Sequence, residues 1–377
     1  MKILFINHSA SRTGAPLMLL YFLEWLKNNK SDLITCDVLT LEHEELIKEF
    51  SAVSRKHFIV KKQKSIFKII YRQFIFNSFN KPKNDFRFSK KRLNSIMANN
   101  YDLIYANTVI SIPMACYLKS KSTHQIKVIA HFHELQIVLK HYCPELKTYQ
   151  KFLDLNIAAS KIVSENLISN WGFDKSKIKV IYEHSIIKSG TKAKSNDFIV
   201  GASGLVNWRK GPDIFLLIAK YVCNRLPNEN IKFQWVGSIS DLNKSIYTED
   251  IRKLNLDKKV EFVGIKKNPE NYYSNFDIFL MTSREDPFPL VCIELGMMKK
   301  PIICFQGATG IQEVIGHVPN TVVPYMDIEK MGDVIIDLFY NKEQLVQQGS
   351  KMYEIFKEFN IENQSLKFFK TITALMK

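Results

Sequence analysis

Ser283-Arg-Glu-Asp-Pro-Phe-Pro-Leu-Val-Cys-Ile-Glu294 is the stretch that decides the fold of this chain. It follows an apolar run, Asp277–Thr282, that is typical of a buried parallel strand, and it leads into a helix predicted over Leu290–Met298. Pro289 suits the first helical turn, because its missing N–H has no partner there. A strand, a tight acidic loop and a helix N-terminus together offer free N–H groups and about half a positive charge to a phosphate.

This stretch also carries two carboxylates, Asp286 in the loop and Glu294 eight residues further on. One of them can reach a ligand near the loop, and the other can reach a part of the ligand further along the helix. A structural interpretation stays open beside this functional one. Acids near a helix start favour the helix dipole, and Glu294 would then be a solvated helix residue.

The composition indicates a globular chain of two domains. The chain has 377 residues, of which 46% are hydrophobic and 24% charged, as in ordinary folded proteins. No apolar run approaches the 18 residues of a transmembrane helix. The short apolar run at Met1–His8 predicts a first strand and not a signal peptide, so we do not expect export. Six scattered cysteines without a Cys-x-x-Cys pair favour reduced thiols over disulfides or a zinc site.

The charge is strongly positive and unevenly placed. The net charge is +16, and the segment from Arg55 to Arg92 holds thirteen Lys or Arg against one acid, Asp85, which accounts for +12. Such an excess predicts anionic partners: a nucleotide, a phospholipid surface or nucleic acid. Residues 61–76 combine a basic stripe with apolar residues at helical spacing, which suits an anionic membrane surface. A packed helix with a solvated basic face is the alternative, and no nucleic-acid recognition motif is present.

Strands and helices alternate along both halves of the chain, which predicts an α/β fold with two doubly wound, Rossmann-like domains. The predicted elements include helices from about Leu17 to Lys27 and over Glu42–Phe50, and strands over Ile278–Met281 and Ile302–Phe305. The polar run Ser189–Asp197 separates the halves and is the predicted linker. In such sheets ligands bind at the carboxyl ends of the strands.

Three further loops follow predicted strands. Gly14-Ala-Pro16 follows the first strand, and strand, glycine loop and helix is a phosphate-approach geometry, although an ordinary turn has the same pattern. His131-Phe-His-Glu134 ends another strand, and its two histidines are also compatible with a metal ion, although no further ligand set is apparent. Arg209-Lys-Gly211 precedes the first helix of the second half.

With these motifs in this order, the sequence resembles the retaining nucleotide-sugar glycosyltransferases of the GT-B fold, specifically glycosyltransferase family 4. The resemblance covers nearly the whole chain. The family signature is two carboxylates with seven residues between them, as in Glu-x-Phe-x-Leu-x-x-x-Glu, and here it reads Asp286-Pro-Phe-Pro-Leu-Val-Cys-Ile-Glu294. Asp286 stands where a glutamate is usual, with Glu285 one place earlier, and Leu205 stands where an arginine is common.

The resemblance implies a fold of two Rossmann-like domains that face each other across a cleft. Residues 1–190 would bind the acceptor and carry a basic insert at about 61–92, and residues 191–360 would bind the nucleotide-sugar. Residues 361–377 would form a C-terminal helix that packs back on the first domain.

The resemblance also implies roles for single residues. Lys210 and Arg209 would contact the donor diphosphate, Glu294 the ribose, and Asp286 or Glu285 the donor sugar. His133 would bond a sugar hydroxyl or the developing charge. The remaining donor-binding residues implied by the motifs lie in loops or at helix starts: Gly14, Ala15, Gly264, Phe288, Pro289, Leu290 and Val291. The resemblance implies no metal ion, and the sequence has no Asp-x-Asp motif that would hold one. No cofactor is expected, because the donor, a UDP-, GDP- or dTDP-sugar, is a substrate.

The implied function is retaining transfer of a hexose from a nucleotide-sugar to a glycan or lipid-linked glycan acceptor. The expected setting is synthesis of bacterial surface polysaccharide, such as lipopolysaccharide, O-antigen or capsule. We expect a cytoplasmic protein that binds peripherally to the anionic inner face of the plasma membrane, without nucleic acid as a partner. Two alternatives remain: a nucleotide-sugar 2-epimerase of the same fold, and a basic module that binds nucleotides or nucleic acid.

Overall fold

A computed structural model describes residues 1–42, 44–60, 90–186, 190–191 and 196–377. The predicted basic insert at 61–92 lies outside the described residues except for its last three. The predicted linker at 189–197 is described only at 190–191 and 196–197.

Thirteen strands are found within the described residues. They are β1 (Lys2–Ser9), β2 (Thr35–Glu42), β3 (Lys56–Ile59), β4 (Leu103–Asn107), β5 (Lys127–Phe132), β6 (Leu155–Ala158), β7 (Ile178–Val180), β8 (Phe198–Ser203), β9 (Ile231–Val236), β10 (Val260–Gly264), β11 (Ile278–Met281), β12 (Ile302–Phe305) and β13 (Val322–Val323).

The α-helices within the same ranges alternate with these strands. They are α1 (Gly14–Asn29), α2 (Ile47–Val53), α3 (Lys90–Met97), α4 (Ile112–Lys121), α5 (Gln136–Tyr142), α6 (Leu146–Tyr149), α7 (Lys161–Trp171), α8 (Pro212–Arg225), α9 (Asp241–Lys253), α10 (Glu270–Tyr273), α11 (Leu290–Met297), α12 (Gln312–Ile315), α13 (Ile328–Tyr340), α14 (Lys342–Phe356) and α15 (Ile361–Met376). Among these described helices, none combines the length and the apolar character that crossing a bilayer requires.

The strands form two sheets of the same type. The order in the first sheet is β3-β2-β1-β4-β5-β6-β7, and in the second it is β10-β9-β8-β11-β12-β13. The central pairs are parallel in both, β1 with β2 and β4 in the first and β8 with β9 and β11 in the second. In each sheet the first strand, β1 or β8, has the next two strands in sequence on one side and the later strands on its other side. This reversal of strand order is found in doubly wound dinucleotide-binding folds. The predicted α/β fold with two Rossmann-like domains is confirmed.

The chain divides into two compact units. The N-terminal unit comprises Met1–Ile157, Leu167–Lys179 and Lys370–Lys377, and the C-terminal unit comprises Ala158–Asn166 and Val180–Phe369.

Both faces of the second sheet are buried, as its sequence dictates. In β11 the side chains of Ile278 and Leu280 belong to one hydrophobic cluster, and those of Phe279 and Met281 belong to another. Successive strand residues point to opposite faces, so a continuous apolar run is buried only when helices cover both sides. Helices α8 and α13 cover the first face, and α11 lies in the cluster on the second.

Two predicted boundaries in the N-terminal unit were wrong. The sequence pattern predicted a helix from Glu42, but β2 continues through that residue and pairs with β1, with Ser9 opposite Glu42. Helix α2 therefore begins only at Ile47. Helix α1 begins at Gly14, three residues before the predicted start, because the extended Thr13 is its N-cap. The loop that was predicted around Gly14 is thus the first turn of a helix.

Candidate active site

The C-terminal unit places its predicted site residues at the switch point of the second sheet. Strands β8 and β11 are neighbours there, and the chain leaves their carboxyl ends in opposite directions along the sheet. The loop after β8 leads to Arg209 and Lys210, and the loop after β11 leads to Asp286. Ligands of open α/β sheets bind at this position.

A short 3₁₀ turn, Trp208–Lys210, presents the two cations. Asn207 caps the turn, because its Oδ1 accepts from the N–H of Lys210 at 3.1 Å. Gly211 ends the turn with φ of 71°, and a Cβ there would lie 2.2 Å from the carbonyl oxygen of Thr282. The glycine therefore lets the two loops approach each other closely.

Lys210 and Asp286 form a buried ion pair. Their side chains are 11% and 6% exposed, and Arg209 adds a second cation, with Nη1 3.3 Å from Asp286 Oδ1. Ser283 Oγ donates to Asp286 Oδ2 at 3.2 Å. The structure thus brings Arg209 and Lys210 together with Asp286, which lies 76 residues beyond Lys210 in the chain.

The group formed by Lys210, Arg209 and Asp286 keeps a net positive charge at neutral pH. Burial raises the pKa of Asp286, but the charges of Lys210 and Arg209 outweigh burial and lower that pKa below its ordinary value. The carboxylate is therefore ionised, and two cations face one anion. The surplus positive charge, shielded from water, attracts an anionic ligand.

The backbone of Asp286 is fixed by a third loop that the sequence analysis missed. Its N–H donates to the carbonyl of Ala308 at 2.8 Å, and its carbonyl accepts from the N–H of Gly310 at 3.2 Å. The small-residue run Gly307-Ala-Thr-Gly310 after β12 is the signal that could have found this loop. It is the same kind of signal that drew attention to Gly14.

Glu294 lies one turn into α11 and has a partner that sequence reasoning also missed. Ser185 Oγ donates to Glu294 Oε1 at 2.7 Å. Burial and then the charge of Glu294 raise the pKa of Tyr273, whose hydroxyl lies 2.7 Å from Ser203 Oγ at the end of β8. Glu294 therefore lies close to Tyr273, whose hydroxyl contacts the carboxyl end of the central strand β8.

The remaining predicted residues near the two carboxylates lie in the hydrophobic core, at the start of α11 or beside Arg209. Phe288 is buried in the core, with its ring centroid 4.9 Å from that of Tyr182, so its side chain anchors the loop. Pro289 is the N-cap of α11, and helix geometry leaves the N–H groups of Leu290 and Val291 without intrahelical acceptors. Glu285 accepts from Arg209 Nη1 through its carbonyl at 2.7 Å.

Gly264, the predicted base-contact residue, ends β10 at the far side of this sheet. Its φ is 80°, and its carbonyl accepts from the N–H of Gly237 at 3.1 Å. This bond ties the carboxyl ends of β9 and β10 together.

The N-terminal unit has its own polar cluster at the switch point between β1 and β4. His133 Nε2 lies 2.9 Å from Asn107 Oδ1, and Asn107 Nδ2 donates to the carbonyl of Ala15 at 3.0 Å. The structure therefore links two predicted residues, His133 and Ala15, through a third that the analysis did not single out. Gly14 is exposed at the first position of α1.

The N-terminal cluster also includes His8, Thr108 and Glu134. Burial, together with the charge of His133, lowers the pKa of His8 to about 4. Glu134 accepts from the backbone N–H groups of Val109 and His133 at 3.2 and 2.9 Å. Thr108 has φ of 86°, a strained value for a β-branched residue of the kind that collects at functional sites. The cluster offers imidazole, amide and hydroxyl groups, beside a carboxylate whose oxygens accept from backbone N–H groups.

Comparison with known proteins identifies the family of this chain. The family model "Glycosyltransferase Family 4" matches residues 55–183, and the model "Glycosyl transferases group 1" matches residues 184–355. An uncharacterised glycosyltransferase of Haemophilus influenzae is 22% identical over 186 residues, covering 49% of this chain and 52% of that protein. The capsular polysaccharide biosynthesis glycosyltransferase CapH of Staphylococcus aureus is 26% identical over 220 residues, covering 55% of this chain and 61% of CapH. The matches to these curated relatives span about half of their length.

Among solved structures, Anabaena Alr3699/HepE in complex with UDP-glucose has the same fold. The TM-score is 0.75 at 18% identity, and the match covers 99% of this chain and 100% of the Anabaena chain. The two family models meet between residues 183 and 184 and together match residues 55–355. The chain belongs to glycosyltransferase family 4 and has the GT-B fold.

Proposed function

We propose that this protein is a retaining glycosyltransferase that moves a hexose from a nucleotide-sugar to a glycan or a lipid-linked glycan. The observation that carries the proposal is the cluster of Arg209, Lys210 and Asp286 at the switch point of the C-terminal unit, with Glu294 on the adjoining helix. Relatives and structural neighbours support it, since the Anabaena structure holds UDP-glucose.

The leaving diphosphate is stabilised by charge. A diphosphate oxygen can take over Lys210 Nζ from Asp286, because phosphate carries more negative charge and accepts bonds in more directions than one carboxylate. Arg209 and the first turn of α11 add preorganised positive potential. The reaction we propose needs no metal ion and no cofactor.

Once Lys210 turns to the diphosphate, the Asp286 carboxylate can accept bonds from hydroxyls of the donor sugar. Glu294 accepts bonds from the ribose hydroxyls, since a carboxylate offers acceptors to both. Glu285 stays a second candidate for the sugar, and Gly264 a candidate for the base. His133 bonds a sugar hydroxyl or the developing charge. The family's front-face route to retention is the mechanism we propose.

The relatives support a proposal for the biological setting. CapH is described as a glycosyltransferase of capsular polysaccharide biosynthesis. We propose synthesis of a bacterial surface polysaccharide, such as capsule, O-antigen or lipopolysaccharide, by a cytoplasmic enzyme.

A thermal-shift panel tests the donor. Wild-type protein is heated with UDP, GDP, dTDP and their sugar conjugates, and a ligand at a hundred times its dissociation constant stabilises by about 2.7 kcal/mol. Glu294→Ala should lose most of this shift, whereas Glu343→Ala, an exposed acid of α14 in the same unit, should keep it. Equal shifts in both variants, or none with any nucleotide, contradict the proposal. Turnover without an acceptor indicates an epimerase or a hydrolase, and binding of polynucleotide without turnover indicates a basic binding module.

The basic segment is proposed to attach the enzyme to an anionic membrane. Vesicles with and without phosphatidylglycerol are sedimented with wild-type protein and with a variant that has Lys61, Lys62, Lys64 and Lys68 changed to Glu. Wild type should sediment only with the anionic vesicles, and the variant should stay in the supernatant. Unchanged sedimentation of the variant contradicts membrane attachment through this segment.

A further inference from the structure

Arg284 lies at the junction of the two loops that build the charged site, and its own role is not explained by the family signature. Its N–H donates to the carbonyl of Arg209 at 2.8 Å, and its Nη1 donates to the carbonyl of Trp208 at 2.7 Å. Arg284 thus holds two consecutive carbonyls of the turn that carries Arg209 and Lys210.

The guanidinium of Arg284 is itself fixed from the other side. Asp213, in the first turn of α8, accepts from it in a bidentate arrangement, with distances of 3.0 Å and 2.6 Å. Burial raises the pKa of Asp213, but the bonds and charge of Arg284 outweigh it and lower that pKa. The guanidinium also lies 5.0 Å from the centroid of the Trp208 ring, and the Arg284 side chain is only 12% exposed.

We propose that Arg284 is a positioning residue that locks the Trp208–Lys210 turn, so that both cations are held ready for the donor diphosphate. This inference rests on the proposed function. Electrostatic stabilisation is effective only when the charges need no rearrangement at the moment of reaction. A planar fork that bonds a carboxylate and a carbonyl at once can fix this turn, and the ammonium of a lysine cannot reproduce that geometry.

A first experiment tests the lock without any ligand. Of the four tryptophans, Trp208 is 56% exposed, whereas Trp25, Trp171 and Trp235 are at most 6% exposed. Acrylamide quenching therefore reports mainly on Trp208, and a Trp208→Phe variant supplies the background. Arg284→Lys should raise the quenching constant and lower the fluorescence anisotropy, because the ring loses its cover and the turn loses its clamp.

A matched control exists in the same unit. Arg252 makes a similar bidentate pair with Glu249 on the exposed surface of α9, at 2.9 and 2.7 Å. Arg252→Lys should leave quenching, anisotropy and nucleotide binding as in wild type. If Arg284→Lys and Arg252→Lys have the same acrylamide quenching constant, Arg284 does not lock the Trp208–Lys210 turn.

A second experiment connects the lock to the diphosphate. Titration calorimetry with UDP and with UMP separates contacts to the β-phosphate from those to the rest of the nucleotide. Arg284→Lys should weaken UDP binding about tenfold, with UMP binding within about twofold of wild type. Asp213→Asn keeps the guanidinium of Arg284 but removes its ionised acceptor. It should therefore weaken UDP binding less than Arg284→Lys does, and it replaces that variant if Arg284→Lys does not fold.

Equal losses for UDP and UMP, or no loss for UDP, overturn the positioning role. A wild-type protein that binds none of the nucleoside diphosphates in the panel overturns the proposed function instead, and the quenching comparison then decides on the lock alone.

Discussion

The two switch points of this molecule have the same topology and opposite chemistry. In the N-terminal unit the cluster around His133 and Asn107 presents imidazole, amide and hydroxyl groups, and the carboxylate of Glu134 bonds backbone N–H groups. In the C-terminal unit the cluster contains two cations and a carboxylate. Because both sheets have the same order around their central strands, the fold itself does not account for the difference.

The difference lies in the loops, where function usually resides on a shared scaffold. Imidazole, amide and hydroxyl groups can exchange hydrogen bonds with the hydroxyl groups of a sugar. A cluster of cations attracts a phosphate, but part of its charge must be neutralised when no phosphate is bound. Asp286 neutralises Lys210 in this way. The comparison therefore predicts that changes in the C-terminal cluster affect nucleotide binding, and that changes in the N-terminal cluster affect turnover.

The largest effect is expected from Lys210→Ala. The change removes the main counter-charge of the diphosphate and leaves Asp286 buried with Arg209 as its nearest cation. We expect kcat/KM for sugar transfer to fall by about 10²- to 10³-fold and the free energy of unfolding to fall by about 3 kcal/mol. Steady-state kinetics and urea titration measure the two losses.

Lys232 supplies the matched control for that variant. It also pairs with an aspartate of the C-terminal unit, Asp197, at 2.7 Å, but its side chain is 47% exposed. Lys232→Ala should change both quantities little, since surface pairs contribute at most about 1 kcal/mol. Similar losses in the two variants would show that the switch-point pair has no special role.

His133→Ala is expected to have the next largest effect and to affect turnover alone. Loss of one hydrogen bond to the donor sugar or to the developing charge should lower kcat between about 10- and 100-fold. The dissociation constant of UDP should stay within about twofold of wild type. His124→Ala, an exposed histidine of the same unit, is the control. Weaker UDP binding by His133→Ala would contradict the division of labour between the two clusters.

The sequence predicted the fold well because its main signals are local. Ile278–Met281 and Ile302–Phe305 were predicted as strands with the limits that the structure shows. A short, continuous apolar run is typical of a parallel strand that is buried on both faces. The strand–loop–helix order then placed Asp286, Glu294, Arg209 and Lys210 at carboxyl ends of strands without knowledge of the tertiary structure.

The contacts that the sequence could not give are those set by tertiary packing. The partnership of Ser185 with Glu294 spans 109 residues, and the clamp between Arg284 and Asp213 spans 71. No periodicity or motif spacing encodes such pairs. The start of α2 was mispredicted for a related reason, because sheet pairing extended β2 beyond the point where local pattern favours a helix.

A pH titration tests whether the N-terminal cluster shields the ring of His8 from water. The folded pKa of His8 is lowered to about 4, so between about pH 6.5 and 4 the unfolded chain binds more protons at this residue than the folded one. The contribution of His8 to stability is therefore unchanged above about pH 6.5 and becomes unfavourable as the pH falls towards 4, by on the order of 2 kcal/mol. His8→Gln should flatten this acid limb of a urea-denaturation series.

The exposed His141 provides the control, because His141→Gln should leave the acid limb unchanged. If His8→Gln unfolds with the same pH dependence as wild type, the His8 ring is not desolvated by the cluster, and the contrast between the two switch points weakens.

The smallest effect is expected where a carboxylate caps backbone groups in each unit. In the C-terminal unit Glu313 accepts from the N–H groups of Lys161 and Ile162 at 2.9 and 2.8 Å, at the start of α7. Glu313→Gln keeps one acceptor oxygen and turns an NH₂ group towards the second donor, so it should cost about 1 kcal/mol of stability without changing kcat. Glu134→Gln in the N-terminal unit should cost a similar amount and also lower kcat, because Glu134 accepts from the backbone N–H of His133. Thermal unfolding and initial rates of the two variants distinguish Glu313, which only stabilises, from Glu134, which also orients His133. Equal kcat values in both variants would show that Glu134 does not orient His133.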